Sequence, residues 1–201
     1  MWLAASHSWL LSTQQLQRKM LMCKPHVWLL LVCLWCSCLG KAAAKNCSYE
    51  ASTDTVRCSL TTLSADENGS SGSSSSYTPL ATRAAALRVT CTNSQVESFL
   101  RGAHFGPGLK RLQELSIERC KVRRVPAGAF EGLTGLTVLN LRSGNVKVSL
   151  ELEKEALRGI GSLRELDLSE NNLWTVPHGI FCGLKSLQRL NVSRNFLQVN
   201  L

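Results

Sequence analysis

Nine cysteines and four histidines are the side chains here best suited to redox, metal or nucleophilic chemistry. Cys33, Cys36 and Cys38 have a spacing that suits a thiolate metal site, but they sit in an uncharged apolar block, residues 27–39 (VWLLLVCLWCSCL), with no acid nearby. That setting makes them filler in a targeting segment. Beyond it stand Cys47, Cys58, Cys91, Cys120 and Cys182, with only His104 and His178 as imidazoles. No Gly-rich phosphate loop, ligand-spaced His/Cys set or nucleophile–base pairing is visible, so the expectation is a non-enzymatic chain without cofactor or metal. Three Asn-x-Ser signals, at Asn46, Asn68 and Asn191, are glycan acceptors if the chain is secreted. The densest basic cluster is Arg119, Lys121, Arg123 and Arg124; strand alternation and the following turn scatter it, which favours a solvated edge over an anion site.

The elements that position these residues begin with an address. The apolar block is preceded by Arg18, Lys19 and Lys24 and followed by Gly40 and Ala42 to Ala44, the order of a secretory signal. Thirteen residues span roughly 20 Å as a helix, short of a ~30 Å hydrocarbon core; an uncleaved anchor is the rival reading. Translation starting at Met20 or Met22 would shorten the unusual lead. Residues 1–44 hold four basic residues and no acid, so they carry four of the nine net positive charges. The +5 left to the remainder, without a recognisable module, argues against nucleic acid as partner. The remaining cysteines then face an oxidising compartment.

Residues 64–79, SADENGSSGSSSSYTP, lack the apolar groups that would offset ordering entropy and read as a disordered insert. After it, LRVTC alternates as a half-buried strand. From Leu112 the chain repeats, with units at 112–135, 136–162, 163–186 and 187–201, the last incomplete. Apolar residues recur at the first, fourth, sixth and eleventh places: Leu112/Leu115/Ile117/Val122, Leu136/Leu139/Leu141/Val146, Leu163/Leu166/Leu168/Leu173 and Leu187/Leu190/Val192/Leu197. Places four and six point to one side of a short strand, into a stack of coils. The ninth place holds Cys120, Gly144, Asn171 and Asn195. Asn there can bond the backbone groups of a buried turn and form a ladder; Cys120 fits the slot as a small substitute with a free thiol, and Gly144, with three extra residues in its unit, implies a locally irregular second coil.

The fold class expected is an α/β-type solenoid. It is a right-handed leucine-rich-repeat horseshoe with a short parallel concave sheet, an irregular convex side and a disordered N-terminal lead. Phe130, Leu157 and Phe181 form an inner spine. A solenoid exposes raw core unless capped, so residues 45–111 are the N-terminal cap. Cys47–Cys58 is the pairing expected, with a bridge from Cys91 to either as the rival. Cys182 aligns with Glu131 and Arg158 and faces outward, free or paired outside this segment. The last coil stops at its fifteenth place, Leu201, which reads as a fragment of a longer protein. The outward places of the sheet are the third, fifth, seventh and eighth, Ser116, Ser143 and Ser169 among them. They offer Glu114, Glu118, Asn140, Arg142, Glu165, Asp167 and Arg189 as a mixed-charge recognition face, or an ordinary solvated one. A glycan on Asn191, at the fifth place, would stand on that face.

LQELSIERCKV, the longer coil LTVLNLRSGNVKVSLELEKEAL, and LRELDLSENNLWTVPHGIFCGL with its Cys directly after the Phe resemble the start of an arthropod Toll receptor ectodomain, of the long, many-repeat subgroup. The resemblance covers roughly residues 47–201; the long lead, the Ser-rich insert and the early stop depart from it. It implies a membrane span and a cytoplasmic signalling domain downstream, neither present here. It also implies an extracellular protein partner, either a cystine-knot cytokine or another receptor ectodomain, in innate immunity or developmental signalling. Contact with a membrane would come only through that missing downstream segment. Such a chain enters the secretory pathway and reaches the outer face of the plasma membrane, or is secreted if the truncation is real. The alternative is a secreted or matrix-associated adhesion protein of the same repeat.

Overall fold

The computed structural model describes residues 46–63, 78–106, 108–144 and 147–198, all within one compact unit, Ala43–Leu201. The signal segment 1–44, Asn68, most of the Ser-rich insert and Val146 lie outside the described residues. Seven strands form one sheet: β1 (Cys47–Glu50), β2 (Thr55–Leu60), β3 (Ala86–Cys91), β5 (Glu114–Glu118), β8 (Val138–Asn140), β10 (Glu165–Asp167) and β11 (Arg189–Asn191), side by side in that order. Only β1 and β2 are antiparallel; every later neighbour is parallel. One helical turn, α1 (Thr78–Ala81), precedes β3. On the far side of the coils, β4 (Glu97–Ser98) pairs with β6 (Lys121–Val122), and β7 (Arg124–Val125) with β9 (Glu151–Leu152).

The fourth-place leucines stand on adjacent rungs: Leu87 opposite Leu115, Leu115 opposite Leu139, Leu139 opposite Leu166, and Leu166 opposite Leu190. Leu87, Leu115 and Leu139 are fully buried, and Leu166 nearly so. Each such side chain contributes roughly 1.5–3 kcal/mol of burial, available only because the next coil covers it. Leu190, on the edge strand β11, is 43% exposed. Each rung is locked by a shared carbonyl, as where Thr137 and Val138 both donate to Gln113 and where Arg164 and Glu165 both donate to Thr137. Phe130 and Leu157 are buried as expected, and Phe181 packs partly buried on the same core. Phe105 extends the spine toward the N-terminus, stacked on Phe130 at 6.0 Å.

The ninth-place ladder is built. Asn171, fully buried, donates from Nδ2 to the Leu141 carbonyl at 2.9 Å, and its Oδ1 accepts from the Ser143 backbone N–H and hydroxyl. Asn195 repeats the pattern one coil on: its Oδ1 accepts from the N–H groups of Asn171 and Leu173, and its Nδ2 donates to the carbonyls of Leu168 and Val192. The turn that these residues fill carries a left-handed residue at the eighth place in three coils, Arg119, Glu170 and Arg194, with φ of 54–58°, and in the third coil Asn172 adds a second at 53°. In the second coil that conformation moves to Gly144, φ 66°, where it is nearly free of steric cost. Gly144 therefore supplies backbone freedom instead of a hydrogen bond, and the shift turns Ser143 inward onto Asn171.

Three expectations are corrected. Cys120 is not a free thiol; it is bridged to Cys91, with Cα atoms 4.8 Å apart. The parallel register of β3 and β5 ends at Thr90 opposite Glu118, so Cys91, one residue on, arrives beside the turn that holds Cys120. Ser116, Ser143 and Ser169 are buried, not exposed: short side chains there are covered by their larger neighbours or drawn into the turn. Within the expected cap, β3 already forms a rung in register with β5, so the parallel sheet starts before Leu112. Cys47 and Cys58 are bridged, directly opposite each other in the β1–β2 hairpin.

Asn171→Ala removes three hydrogen bonds in a buried turn and strands their partners, each costing roughly 1–3 kcal/mol. Urea unfolding is expected to show a loss of at least about 2 kcal/mol, against little change for the exposed Gln188→Ala. His104 gives a second test. It is 7% exposed, accepts the Arg101 N–H on Nδ1 at 3.3 Å, and has its pKa lowered to about 4, first by burial and then by the Arg101 charge. The unfolded chain thus binds the proton first as pH falls. Stability is full above about pH 6.5 and declines toward pH 4, at most by about 1.4 kcal/mol per unit. His104→Gln should flatten that acid limb in pH-resolved urea titrations.

Candidate functional site

The concave sheet carries the outward side chains of β3, β5, β8, β10 and β11. It brings together all seven residues expected to form a recognition face: Glu114, Glu118, Asn140, Arg142, Glu165, Asp167 and Arg189. A fifth-place motif fixes their height above the sheet. The side-chain oxygens of Asn140, Asp167 and Asn191 accept the backbone N–H two residues on, from Arg142 at 2.9 Å, Ser169 at 2.8 Å and Ser193 at 3.1 Å. These Asx turns end β8, β10 and β11 the same way. Asn191 Nδ2 also donates to Asp167 Oδ2 at 3.1 Å, joining successive rungs.

Charges alternate across the rungs and satisfy one another. Arg88 pairs with Glu114 at 2.8 Å, and Glu165 with Arg189. Arg142 grips Glu170 through two hydrogen bonds of 2.9 Å, while Arg194 approaches the same carboxylate from the next coil. Glu170 is held below the usual carboxylate range by its bonds to Arg142 and then Arg194. Exposed pairs of this kind contribute little stability, but they leave little unbalanced charge on the sheet. Two hollows follow. One of about 500 Å³ is lined by Arg57, Arg88, Thr90 and Glu118 at the N-terminal end; the other, about 680 Å³, by Asn140, Glu165, Asp167, Arg189 and Asn191.

The sequence reading missed Arg57, Arg88 and Thr90, which join this face because β2 and β3 extend the same sheet. The alternation in LRVTC was the available signal. It also missed Glu170 as the anchor of two arginines. Elsewhere Lys121 and Arg123 both approach Glu97, at 3.8 and 3.7 Å, and Arg124 pairs with Glu153 at 2.7 Å, so carboxylates interleave the basic cluster. Among the described residues no group of three His, Cys, Asp or Glu side chains is placed to hold a metal ion, and no helix is long and apolar enough to cross a membrane.

The leucine rich repeat family matches residues 110–173 and 149–197. Toll-like receptor 7 of Drosophila melanogaster is 34% identical over 162 residues, covering 76% of this chain and 10% of the receptor. Lumican of Gallus gallus is 34% identical over 113 residues, 46% of this chain and 32% of lumican. The chain thus spans about a tenth and about a third of these relatives. Among solved structures, that of a TLR13–ssRNA13 complex superimposes with a TM-score of 0.57 at 26% identity, covering 75% of this chain and 19% of that one.

Cys182 is exposed and unbridged, whereas Cys47, Cys58, Cys91 and Cys120 are bridged. Under non-reducing, native conditions, iodoacetamide is expected to label Cys182 and none of the other four. Labelled Cys120 on peptide mass mapping would contradict the second bridge.

Proposed function

We propose that this chain, which belongs to the leucine-rich repeat family, is a Toll-receptor ectodomain segment that recognises an extracellular protein partner through its concave sheet. Leucine-rich-repeat proteins of the Toll and matrix types act as recognition modules, and the rigid rungs suit them to it by presenting side chains at fixed spacing. The observation that carries the Toll reading is the extent of the likeness. It covers 76% of the chain, more than the 90 residues from 112 to 201, so it takes in the cap as well as the repeats.

In this reading the whole receptor pairs its ectodomains on binding a cystine-knot cytokine or another receptor ectodomain, and a cytoplasmic domain elsewhere in the protein signals. Its roles are innate immunity or developmental signalling at the outer face of the plasma membrane. A protein partner is favoured over a nucleic acid because the concave arginines are neutralised by carboxylates on neighbouring rungs. Phosphate binding calls for unbalanced positive charge. Lumican, similar over 46% of the chain, supports a second reading as a matrix-associated adhesion protein.

Reading the native transcript beyond the codon for Leu201 separates the two. A membrane span and cytoplasmic signalling domain are expected; a cysteine-rich cap followed by a stop supports the matrix reading instead. In the full-length receptor, Arg57→Glu with Glu118→Lys, both lining the N-terminal hollow, is expected to weaken partner binding several-fold without loss of secretion. Unchanged binding would move recognition off this face.

A further inference from the structure

We infer that Asn191 carries an N-linked glycan lying over β8, β10 and β11, and that the hollow around Arg57, Arg88 and Glu118 is therefore the open part of the concave sheet. The inference rests on the secretory reading above. Asn191-Val192-Ser193 is an acceptor signal, and both Asn191 and Ser193 are exposed. The transfer takes place on the extended chain before β11 pairs. Asn191 Nδ2 attacks the anomeric carbon of an oligosaccharide linked to a polyisoprenyl pyrophosphate. A C–N bond forms, the C–O bond to the pyrophosphate breaks, and the amide loses one proton.

The folded site accommodates the product. Asn191 Oδ1 is taken by the Ser193 N–H, and Nδ2 donates one hydrogen to Asp167. The amide has two hydrogens, so replacing the other with a sugar keeps the Asx turn and the link between rungs. That link anchors the amide on the concave surface, and the sugar leaves Nδ2 by its other N–H bond, so the glycan is rooted on the face of the sheet. With strands about 4.8 Å apart, a branched oligosaccharide rooted there covers several rungs, including Glu165, Asp167 and Arg189.

Asn46 stands at the rim of the other hollow, at the opposite end of the sheet. Its signal has Cys47 as the middle residue, bridged to Cys58, and its own carbonyl accepts the Ser59 N–H within the hairpin. Early closure of that hairpin competes with transfer, so Asn46 stays bare and the hollow beside it open.

The full chain, expressed in insect cells and recovered from the medium, is treated with peptide N-glycosidase in heavy-oxygen water and digested with trypsin. Cleavage at Arg189 and Arg194 isolates the pentapeptide LNVSR. Heavy aspartate is expected in that peptide and absent at position 46. Ser193→Ala, which keeps Asn191, should remove one glycan step in gel mobility. It should also speed phenylglyoxal labelling of Arg189 at least a few-fold, with Arg57 unchanged. Secreted protein with bare Asn191 overturns this inference alone; heavy aspartate at position 46, or equal Arg189 labelling with and without the glycan, overturns the division of the sheet. A chain confined to the cytosol overturns the secretory reading itself.

Discussion

Turning a chain through a full coil every two dozen residues buries backbone N–H and C=O groups that no strand can reach. Those groups must find partners, and the ninth-place side chains supply them. Asn171 and Asn195 each bridge two coils, so the turn of one coil is completed by a residue of the next. Once the turns are satisfied, the strands fall into register and the leucines at places four and six face inward. The hydrophobic stack and the polar ladder are thus one construction; neither survives without the other.

The concave face inherits its order from the same source. Because β8, β10 and β11 end in the same Asx turn, their outward side chains project at matched heights, and acids on one rung meet bases on the next. Glu170 shows how far this goes: one carboxylate serves arginines from the coil before it and the coil after it. On the proposed reading, a partner would meet a surface whose charges are already paired, so shape and hydrogen-bond pattern would weigh more than attraction at a distance.

The repeat register from Leu112 onward was legible because four places recur in four units with fixed meaning. Coil β3 was harder to align: its first place is Ala84 and its ninth Thr92, residues that carry no leucine or asparagine signal. Cys120 was misread for a related reason. Its slot identifies it as a small buried residue, but its partner is decided by which residue the neighbouring rung delivers, and Cys91 lies on that unaligned coil. The outward serines were misread because alternation gives direction, not exposure; larger neighbours cover a short side chain even on an outward place. The left-handed residue that moved to Gly144 could be read only from the backbone.

The bridge from Cys91 to Cys120 closes a loop containing the exposed stretch 92–96 and Arg101. A protease that nicks the chain there severs one peptide bond but frees neither half, since the cystine still tethers the hairpin end to the repeats. Damage at that seam would be invisible on a non-reducing gel and appear as two pieces only after reduction.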